Sequence, residues 1–263
     1  MVKRITDIHM HIVPKVDDGA VDLSMALDML KMAYEQGVRD IFCTSHNVYD
    51  EEEIKRYKAN FMTLQMVAKS KYPDLNLHMG CELLCAGEYI EDILYGLDIG
   101  VFLPLGDSKC VLTELYPDAT SNEAEHIVKA MVGAGWKPIL AHTERYPNLF
   151  DIETIPRLIS IGAMIQVNLY SLEEEQDEQL KERARWLIKN QYAHCLGSDA
   201  HRSNHRPPKY EKGIQYLSEC CPQEYLDNLC YKTSERTLLK MSKEEIKKRL
   251  AGRAAEYQMF LDD

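Results

Sequence analysis

Short apolar segments rich in β-branched residues alternate along the chain with longer stretches whose apolar positions recur every three or four residues. The first kind falls at 4–9, 39–44, 76–82, 110–115, 138–142, 163–168 and 193–198, and runs of that length and composition predict seven strands. The second kind falls at 22–36, 51–71, 122–134, 151–161 and 173–190, and predicts amphipathic helices. Several helices begin on Asp or Asn, and three are followed directly by Gly37, Gly135 and Gly162. An N-cap oxygen and a glycine after the C-cap satisfy backbone groups that a helix end leaves unpaired. Beyond His201 the chain reads as mostly helical, with 242–260 amphipathic enough to pack back on the rest.

Strands and helices in alternation, joined by parallel crossovers, admit an α/β fold of two kinds, an open doubly wound sheet or a closed barrel. In the first, ligands gather at one switch point; in the second, the C-terminal end of every strand faces a shared mouth. Polar groups stand at or just after every predicted strand: His9 and His11, Ser45-His46, Glu82, Glu114, His142, Asn168, and Asp199-Ala200-His201. That distribution favours a barrel, with seven strands instead of eight, formed as one domain over 1–263. No G-x-G-x-x-G or Walker loop follows any strand, which removes the nucleotide-fold reading.

Alternate residues of a strand share a face, so His9 and His11 can converge on one cation. A lone His or Glu at a strand end is usually a satisfied polar group or half of a salt bridge. Here five histidines (9, 11, 46, 142 and 201) and the carboxylates of Asp18, Glu82, Glu114 and Asp199 fall where one mouth collects them. Carboxylates brought together out of water repel and lose hydration, a conflict that cations resolve. The pattern predicts a multinuclear metal site. Imidazole and carboxylate without thiolate suit Mn²⁺, Fe²⁺ or Zn²⁺ and disfavour a structural Cys-zinc site; Cys81 would point to the face opposite Glu82. His78, His126, His194 and His205 are read as structural.

Composition sets the remaining limits. With 45% hydrophobic and 28% charged residues the chain is an ordinary globular one. A formal charge of −11 argues against nucleic acid, which normally requires a basic face. No run approaches the roughly 18 to 20 apolar residues of a membrane span, and Met1-Val2-Lys3-Arg4 leads into a polar motif without an apolar signal core. We therefore expect a cytoplasmic protein with no membrane insertion, whose eight cysteines (43, 81, 85, 110, 195, 220, 221, 230) are reduced core thiols.

In order along the chain, His9-x-His11, Asp17-Asp18-Gly19, Thr44-Ser45-His46, Gly80-Cys81-Glu82, Thr113-Glu114-Leu115, His142-Thr143-Glu144-Arg145-Tyr146 and Ser198-Asp199-Ala200-His201 resemble the polymerase and histidinol phosphatase (PHP) superfamily. Asp17-Asp18-Gly19, His142-x-Glu144-Arg145-Tyr146 and Arg206-Pro207-Pro208 resemble more closely its bacterial manganese-dependent protein-tyrosine phosphatases of capsule and exopolysaccharide loci. The likeness runs from Asp7 to Pro208. It implies a distorted (β/α)7 TIM-like barrel with a trinuclear site at the C-terminal mouth of the strands, manganese foremost, with iron or zinc as alternatives. By the resemblance, His9, His11, Glu82 and Asp199 hold one ion, Glu82, Glu114 and His142 a second, and Asp18, His46 and His201 a third, Glu82 bridging the first two.

Clustered divalent ions suit phosphomonoester hydrolysis, because a bridging water loses its proton near neutral pH while the phosphate charge is neutralised. Arg145 and Arg206 are the candidate catalytic residues, placed to hold the phosphoryl group by bidentate contacts; Arg202 is a further candidate of lower weight. Cys230 and Arg236 satisfy a bare C-x5-R pattern, but the segment lacks the glycine and preceding strand that thiolate phosphatases use. Thr44-Ser45-His46-Asn47 stands where many relatives have Thr-Pro-His and an aromatic, which points to a different leaving group at a rim near Ser45 and Asn47. The expected function is hydrolysis of phosphotyrosine on the tail of a bacterial tyrosine autokinase that regulates polysaccharide synthesis. A small-molecule phosphatase, such as one for histidinol phosphate, and a non-catalytic metal-bound regulatory module are the alternatives. Oligomeric state is open, a homo-oligomer included.

Overall fold

The computed structural model describes residues 4–46 and 51–239; the amphipathic 242–260 stretch and Asn47 lie outside them. All strand pairing is parallel. Strands β1 (Ile5–Met10), β2 (Val38–Cys43) and β3 (Asn76–Met79) form one sheet in that order. The other runs β4 (Glu82–Leu84), β5 (Cys110–Glu114), β6 (Lys137–Leu140), β7 (Met164–Asn168), β8 (Cys195–Gly197). Two isolated parallel bridges, Met10 with Ala200 and His46 with Glu82, link the sheets. At the first, the His11 N–H donates to the Ala200 carbonyl at 2.9 Å and the Asp199 N–H to the His9 carbonyl at 2.8 Å.

Period-two alternation sorts neighbouring residues into separate apolar clusters. Ile41, Val111, Leu140, Ile165 and Leu196 join one, which also takes in the helices, through Leu30 of α1 (Leu23–Glu35) and Leu64 of α2 (Glu51–Lys71). Ile8, Phe42, Leu112, Ile139, Met164 and Cys195, one from each of six strands in both sheets, join the other. Parallel strands bury both faces in this way when helices cover them.

Three expectations are corrected. The strand predicted at 76–82 is two strands in different sheets, giving eight in place of seven, because Gly80 and Cys81 leave the ladder. There the buried Tyr57 hydroxyl of α2 accepts from the Gly80 N–H at 3.3 Å and lies 2.7 Å from the Cys43 carbonyl oxygen and 2.9 Å from that of Gly80. A side chain thus takes over backbone groups that pairing would have used. The helix predicted at 173–190 begins only at α6 (Glu178–Lys189), preceded by a 3-10 turn, Leu169–Leu172, and a non-helical stretch over 173–177; its start is fixed by Asp177 accepting from the Leu180 N–H at 3.1 Å. Cys220 is exposed and Cys221 half-buried, so only six of the eight free cysteines are core thiols. The elements also include α3 (Ile90–Ile99), absent from the sequence reading, α4 (Ser121–Gly133), α5 (Thr154–Ile161) and α7 (Glu211–Cys220).

Tyr57→Phe strips buried carbonyls and the Gly80 N–H of their partner. Since an unsatisfied buried polar group costs about 1–3 kcal/mol, we predict a loss of that size in denaturant unfolding; wild-type stability would show that the hydroxyl is dispensable at the strand break.

Candidate metal centre

The C-terminal ends of the strands bring all nine predicted ligands together. The Nε2 atoms of His9 and His11 are 3.2 Å apart. Glu82 Oε2 lies 3.2 Å from the first and 3.1 Å from the second, and Asp199 Oδ1 lies 3.5 Å from each. Donor atoms sharing a cation at about 2.1 Å stand roughly 3.0–3.4 Å apart in octahedral or tetrahedral geometry, so His9, His11 and Asp199 have nearly the spacing of one ion's ligands, with Glu82 Oε2 close to both imidazoles. Glu82 also turns Oε1 to His142 Nε2, at 2.8 Å, and that imidazole is 3.6 Å from Glu114 Oε1. A further group joins Asp18 Oδ1 to His201 Nε2 at 3.4 Å and to His46 Nε2 at 3.8 Å. Four overlapping sets are close enough to hold an ion: His11, Asp18, His46 and His201; His9, His11 and Asp199; His9, Glu82 and His142; His46, Glu82 and Glu114. The last arises because His46 turns Nδ1 toward Glu82, at 3.4 Å, and Nε2 toward Asp18.

Backbone geometry bends to make this possible. His142, Asp199 and Arg206 have φ of 31°, 51° and 52°, the left-handed region that non-glycine residues enter rarely and at a cost of about 1–3 kcal/mol each. A Cβ on Gly197 would stand 2.6 Å from the His9 Cβ, and one on Gly19 would stand 2.1 Å from the His11 carbonyl oxygen. Only glycine lets β8 and the Asp18 loop approach the two histidines so closely.

Behind the predicted ligands stands a set of residues that sequence reading missed. His11 donates Nδ1–H to Asp17 at 2.7 Å, since a carboxylate only accepts, which directs Nε2 to the centre. Asp17 also accepts from the N–H groups of His46 and Gly19, both at 3.0 Å. Gln166 Oε1 lies 3.3 Å from His9 Nδ1 and accepts from the His142 N–H at 2.7 Å; its amide nitrogen donates to Asn168 Oδ1 at 2.7 Å, and Asn168 donates to Asp199 Oδ2 at 3.1 Å. The Tyr146 hydroxyl lies 3.2 Å from His142 Nδ1, and His201 Nδ1 donates to the Asp199 carbonyl at 2.9 Å. The sequence already marked Asn168 as a strand-end polar group; its i, i+2 pairing with Gln166 in an otherwise apolar strand, the signal that marked His9 and His11, would have found Gln166 as well.

Charge in the cluster is unevenly held. Burial disfavours charge on His9 and His11, yet carboxylate neighbours outweigh it and raise both, Glu82 and Asp199 for the first, Asp17 and Glu82 for the second. Glu82 and Asp199, although buried, are held below the usual carboxylate range, Glu82 by His9, His11 and His142, Asp199 by His9 and Arg145. Burial and then the Glu82 charge push Glu114 up to about 7, while burial and then His11 push His201 down to about 4. Without a cation Glu114 is therefore only partly ionised near pH 7, whereas a divalent cation would stabilise its ionised form. Donor types, spacing and electrostatics all fit metal ions.

Both predicted arginines reach the centre, and both meet there on Asp199 Oδ2: Arg145 Nη2 at 2.6 Å, and Arg206 Nη2. Arg145 also donates to the Tyr170 hydroxyl, and Arg206 Nη1 lies 3.1 Å from His201 Nε2. Arg202 instead clamps the Asp18 loop, donating to the carbonyls of Asp18 and Gly19 at 3.1 and 3.2 Å. Ser45 is fully buried, so it does not form the substrate rim. Cys230 is buried, its thiol pushed up to about 12 by desolvation and then the Asp227 charge, and Arg236 donates to Asn228; nothing there resembles a phosphate loop. His78 bonds Asp40 at 3.0 Å and His194 accepts from the Ile165 N–H at 3.1 Å, both structural roles.

Comparison with known proteins agrees with this picture. A family model described as capsular polysaccharide synthesis, CpsB/CapC, matches residues 5–239. The chain is 30% identical over 241 residues to tyrosine-protein phosphatase CpsB of Streptococcus agalactiae serotype III (strain NEM316), covering 88% of this chain and 97% of that relative. A solved structure from work on YwqE of Bacillus subtilis and CpsB of Streptococcus pneumoniae, described as unique metal-dependent tyrosine phosphatases, superposes with a TM-score of 0.78 at 26% identity, covering 90% of this chain and 96% of the other. The phosphotriesterase homology protein of Escherichia coli shares the fold alone, with a TM-score of 0.54 at 11% identity over 90% of this chain and 99% of that one. A match over nearly all the described residues, with relatives aligned along most of their own length, means that the chain belongs to the CpsB/CapC family of capsular polysaccharide synthesis.

Proposed function

We propose that the protein is a metal-dependent protein-tyrosine phosphatase, acting in the cytoplasm on phosphotyrosine in the tail of a tyrosine autokinase that controls capsular or exopolysaccharide synthesis. The observation that carries the reading is the Glu82 carboxylate, 1% exposed and within 3.4 Å of four imidazoles, an arrangement suited to bridging ions. We assign His9, His11, Asp18, His46, Glu82, Glu114, His142, Asp199 and His201 to three divalent ions, manganese foremost, at the mouth of a single closed barrel. Support for closure comes from the apolar cluster shared by six strands of both sheets and from the bridges Met10–Ala200 and His46–Glu82. Among the described residues no helix is long and apolar enough to cross a membrane.

Metal ions bound there would supply Lewis acidity and a water acidic enough to attack phosphorus. The chain's own residues set the direction of approach. Side chains of His9, His11, Glu82, His142, Asp199 and His201 are at most 5% exposed, whereas those of Glu114, His46 and Asp18 are 23%, 43% and 63% exposed. The phosphoryl group therefore enters past Asp18, His46 and Glu114. Asp199 Oδ2 anchors Arg145 and Arg206 by one nitrogen each, leaving further N–H groups on both forks for phosphate oxygens.

Turnover of a phosphotyrosine peptide against histidinol phosphate, with Mn²⁺ restored after chelation, tests the reading. We expect the peptide to be strongly preferred, purified protein to carry more than one transition-metal equivalent per chain, and the His9→Ala, His11→Ala double variant to lower that number and lose activity. Full activity in metal-free protein would refute the metal assignment. A thiolate mechanism is separable: Cys230→Ser should leave turnover nearly intact while chelation stops it, and a trapped phosphocysteine would reverse that conclusion. Arg145→Ala and Arg206→Ala should each cost roughly 2–4 kcal/mol in kcat/KM without emptying the centre by elemental analysis. Arg145→Ala should lower kcat as well as raise KM, and Arg206→Ala should act mainly on KM; wild-type kinetics in both would place phosphate elsewhere.

A further inference from the structure

Next to the β4 and β5 ends of the metal centre lies a concavity of about 400 Å³. Its walls are apolar and aromatic: Leu84, Tyr89, Ile93, Phe102 and Tyr116. Ile93 and Phe102 are buried, while Tyr89 and Tyr116 are 56% and 49% exposed, among the few large apolar side chains that face solvent to this degree. One acidic group, the exposed Asp92, also lines it.

The pocket adjoins the centre along the chain itself. Glu82 and Leu84 stand on β4, paired in register with Leu112 and Glu114 of β5. Leu84 is two residues beyond Glu82, and Tyr116 two beyond Glu114. Pairing persists past the strand ends, the Cys85 N–H donating to the Glu114 carbonyl at 2.8 Å. Two extended residues advance about 6.6 Å, the reach of one or two residues of a bound peptide. Glu114, the register partner of the pocket residue Leu84, is also one of the more exposed members of the centre, so the pocket borders its more open side.

We propose that this pocket is a subsite for an aromatic side chain of the substrate peptide, one or two positions from the phosphotyrosine. The inference rests on the phosphotyrosine reading of the centre and deepens it. A phosphate dianion has no place in a pocket that offers no cation and one carboxylate; its counter-charges are Arg145 and Arg206. An aliphatic side chain would fill the pocket but forgo edge-to-face and offset contacts with three rings, which favour an aromatic guest. A phenol or indole can in addition donate to Asp92. Residues of this kind would read peptide context while leaving the chemistry of phosphate release untouched.

The test uses three substrates on the metal-loaded enzyme: p-nitrophenyl phosphate, a phosphotyrosine peptide with Phe or Tyr at a neighbouring position, and the same peptide with Ala there. Tyr89→Ala with Tyr116→Ala truncates two half-exposed side chains and leaves the buried floor intact. For the wild type we expect kcat/KM roughly tenfold higher on the aromatic peptide than on its Ala counterpart, carried by KM. In the double variant that ratio should fall to about one while p-nitrophenyl phosphate turnover is unchanged. Equal kcat/KM on the two peptides in the wild type would overturn the subsite, as would a double variant that keeps the full preference. A change in sedimentation of the variant with no change in the peptide ratio would also overturn it, assigning the pocket to a second copy of the chain. Turnover of p-nitrophenyl phosphate with neither peptide hydrolysed would instead defeat the phosphotyrosine reading itself.

Discussion

A carboxylate that has left water and faces four imidazoles is the constraint around which this molecule is built. Glu82, 1% exposed, meets His9, His11, His46 and His142 between 2.8 and 3.4 Å. Removing such a charge from solvent costs several kcal/mol unless partners of opposite charge replace the lost hydration. Imidazoles answer part of that cost when they are protonated, and they protonate at the expense of one another. Carboxylate neighbours move His9 and His11 upward, whereas burial, followed by the Arg145 charge at His142 and the His11 charge at His201, moves the other two downward. Cations relieve this competition by letting all the imidazoles stay neutral and all the carboxylates stay charged.

Holding so many like groups together requires a scaffold that cannot relax away from them. Glu82 opens β4, directly after the break at Gly80 and Cys81, and the break is sealed by Tyr57 from a helix on the far side of the sheet. His142 and Asp199 follow β6 and β8 in left-handed conformations. The chain tolerates those conformations because each residue is tied on more than one side: His142 through its N–H to Gln166 and its ring to Glu82, Asp199 through its N–H to the His9 carbonyl and its Oδ2 to two arginines and Asn168. Strain at these positions is overdetermined by polar contacts and so persists.

What the sequence reveals and what it hides follows from the range of each interaction. His9 and His11 are legible because strand periodicity is local, and the other candidate ligands because they sit at or just after strand ends that the apolar pattern marks. Asp18 is the exception, standing in the loop after β1 and legible only through its Asp-Asp-Gly motif. Asp17 was present in the motif as a neighbour of Asp18, yet nothing local says which of two adjacent carboxylates accepts from a histidine and which turns to solvent. The break at Gly80 depends on Tyr57, 23 residues earlier, and a long-range hydrogen bond leaves no periodic trace. Helix α3 spans ten residues with a mainly apolar sequence, so its length and pattern sit close to those of a buried strand. Ser45 looked like a rim residue because it precedes His46, but alternation turns it inward and His46 outward, fully buried against 43% exposed.

Asp199 joins the candidate metal ligands of β1 to the two arginines. Its Oδ1 faces the two histidines of β1, and its Oδ2 faces Arg145 and Arg206. The same carboxylate therefore sets where a cation can sit and where two guanidinium forks can point. Because its two oxygens belong to one rigid carboxylate, an ion held at Oδ1 would be coupled through Asp199 to the two arginines on Oδ2. Asn168 and Gln166 extend that coupling to His9 and His142 through amide hydrogen bonds. In the proposed phosphatase, orientation of the phosphoryl group and geometry of the metal centre would then be one property of the fold, and a change made to either side would reach the other through side chains that are themselves held in place.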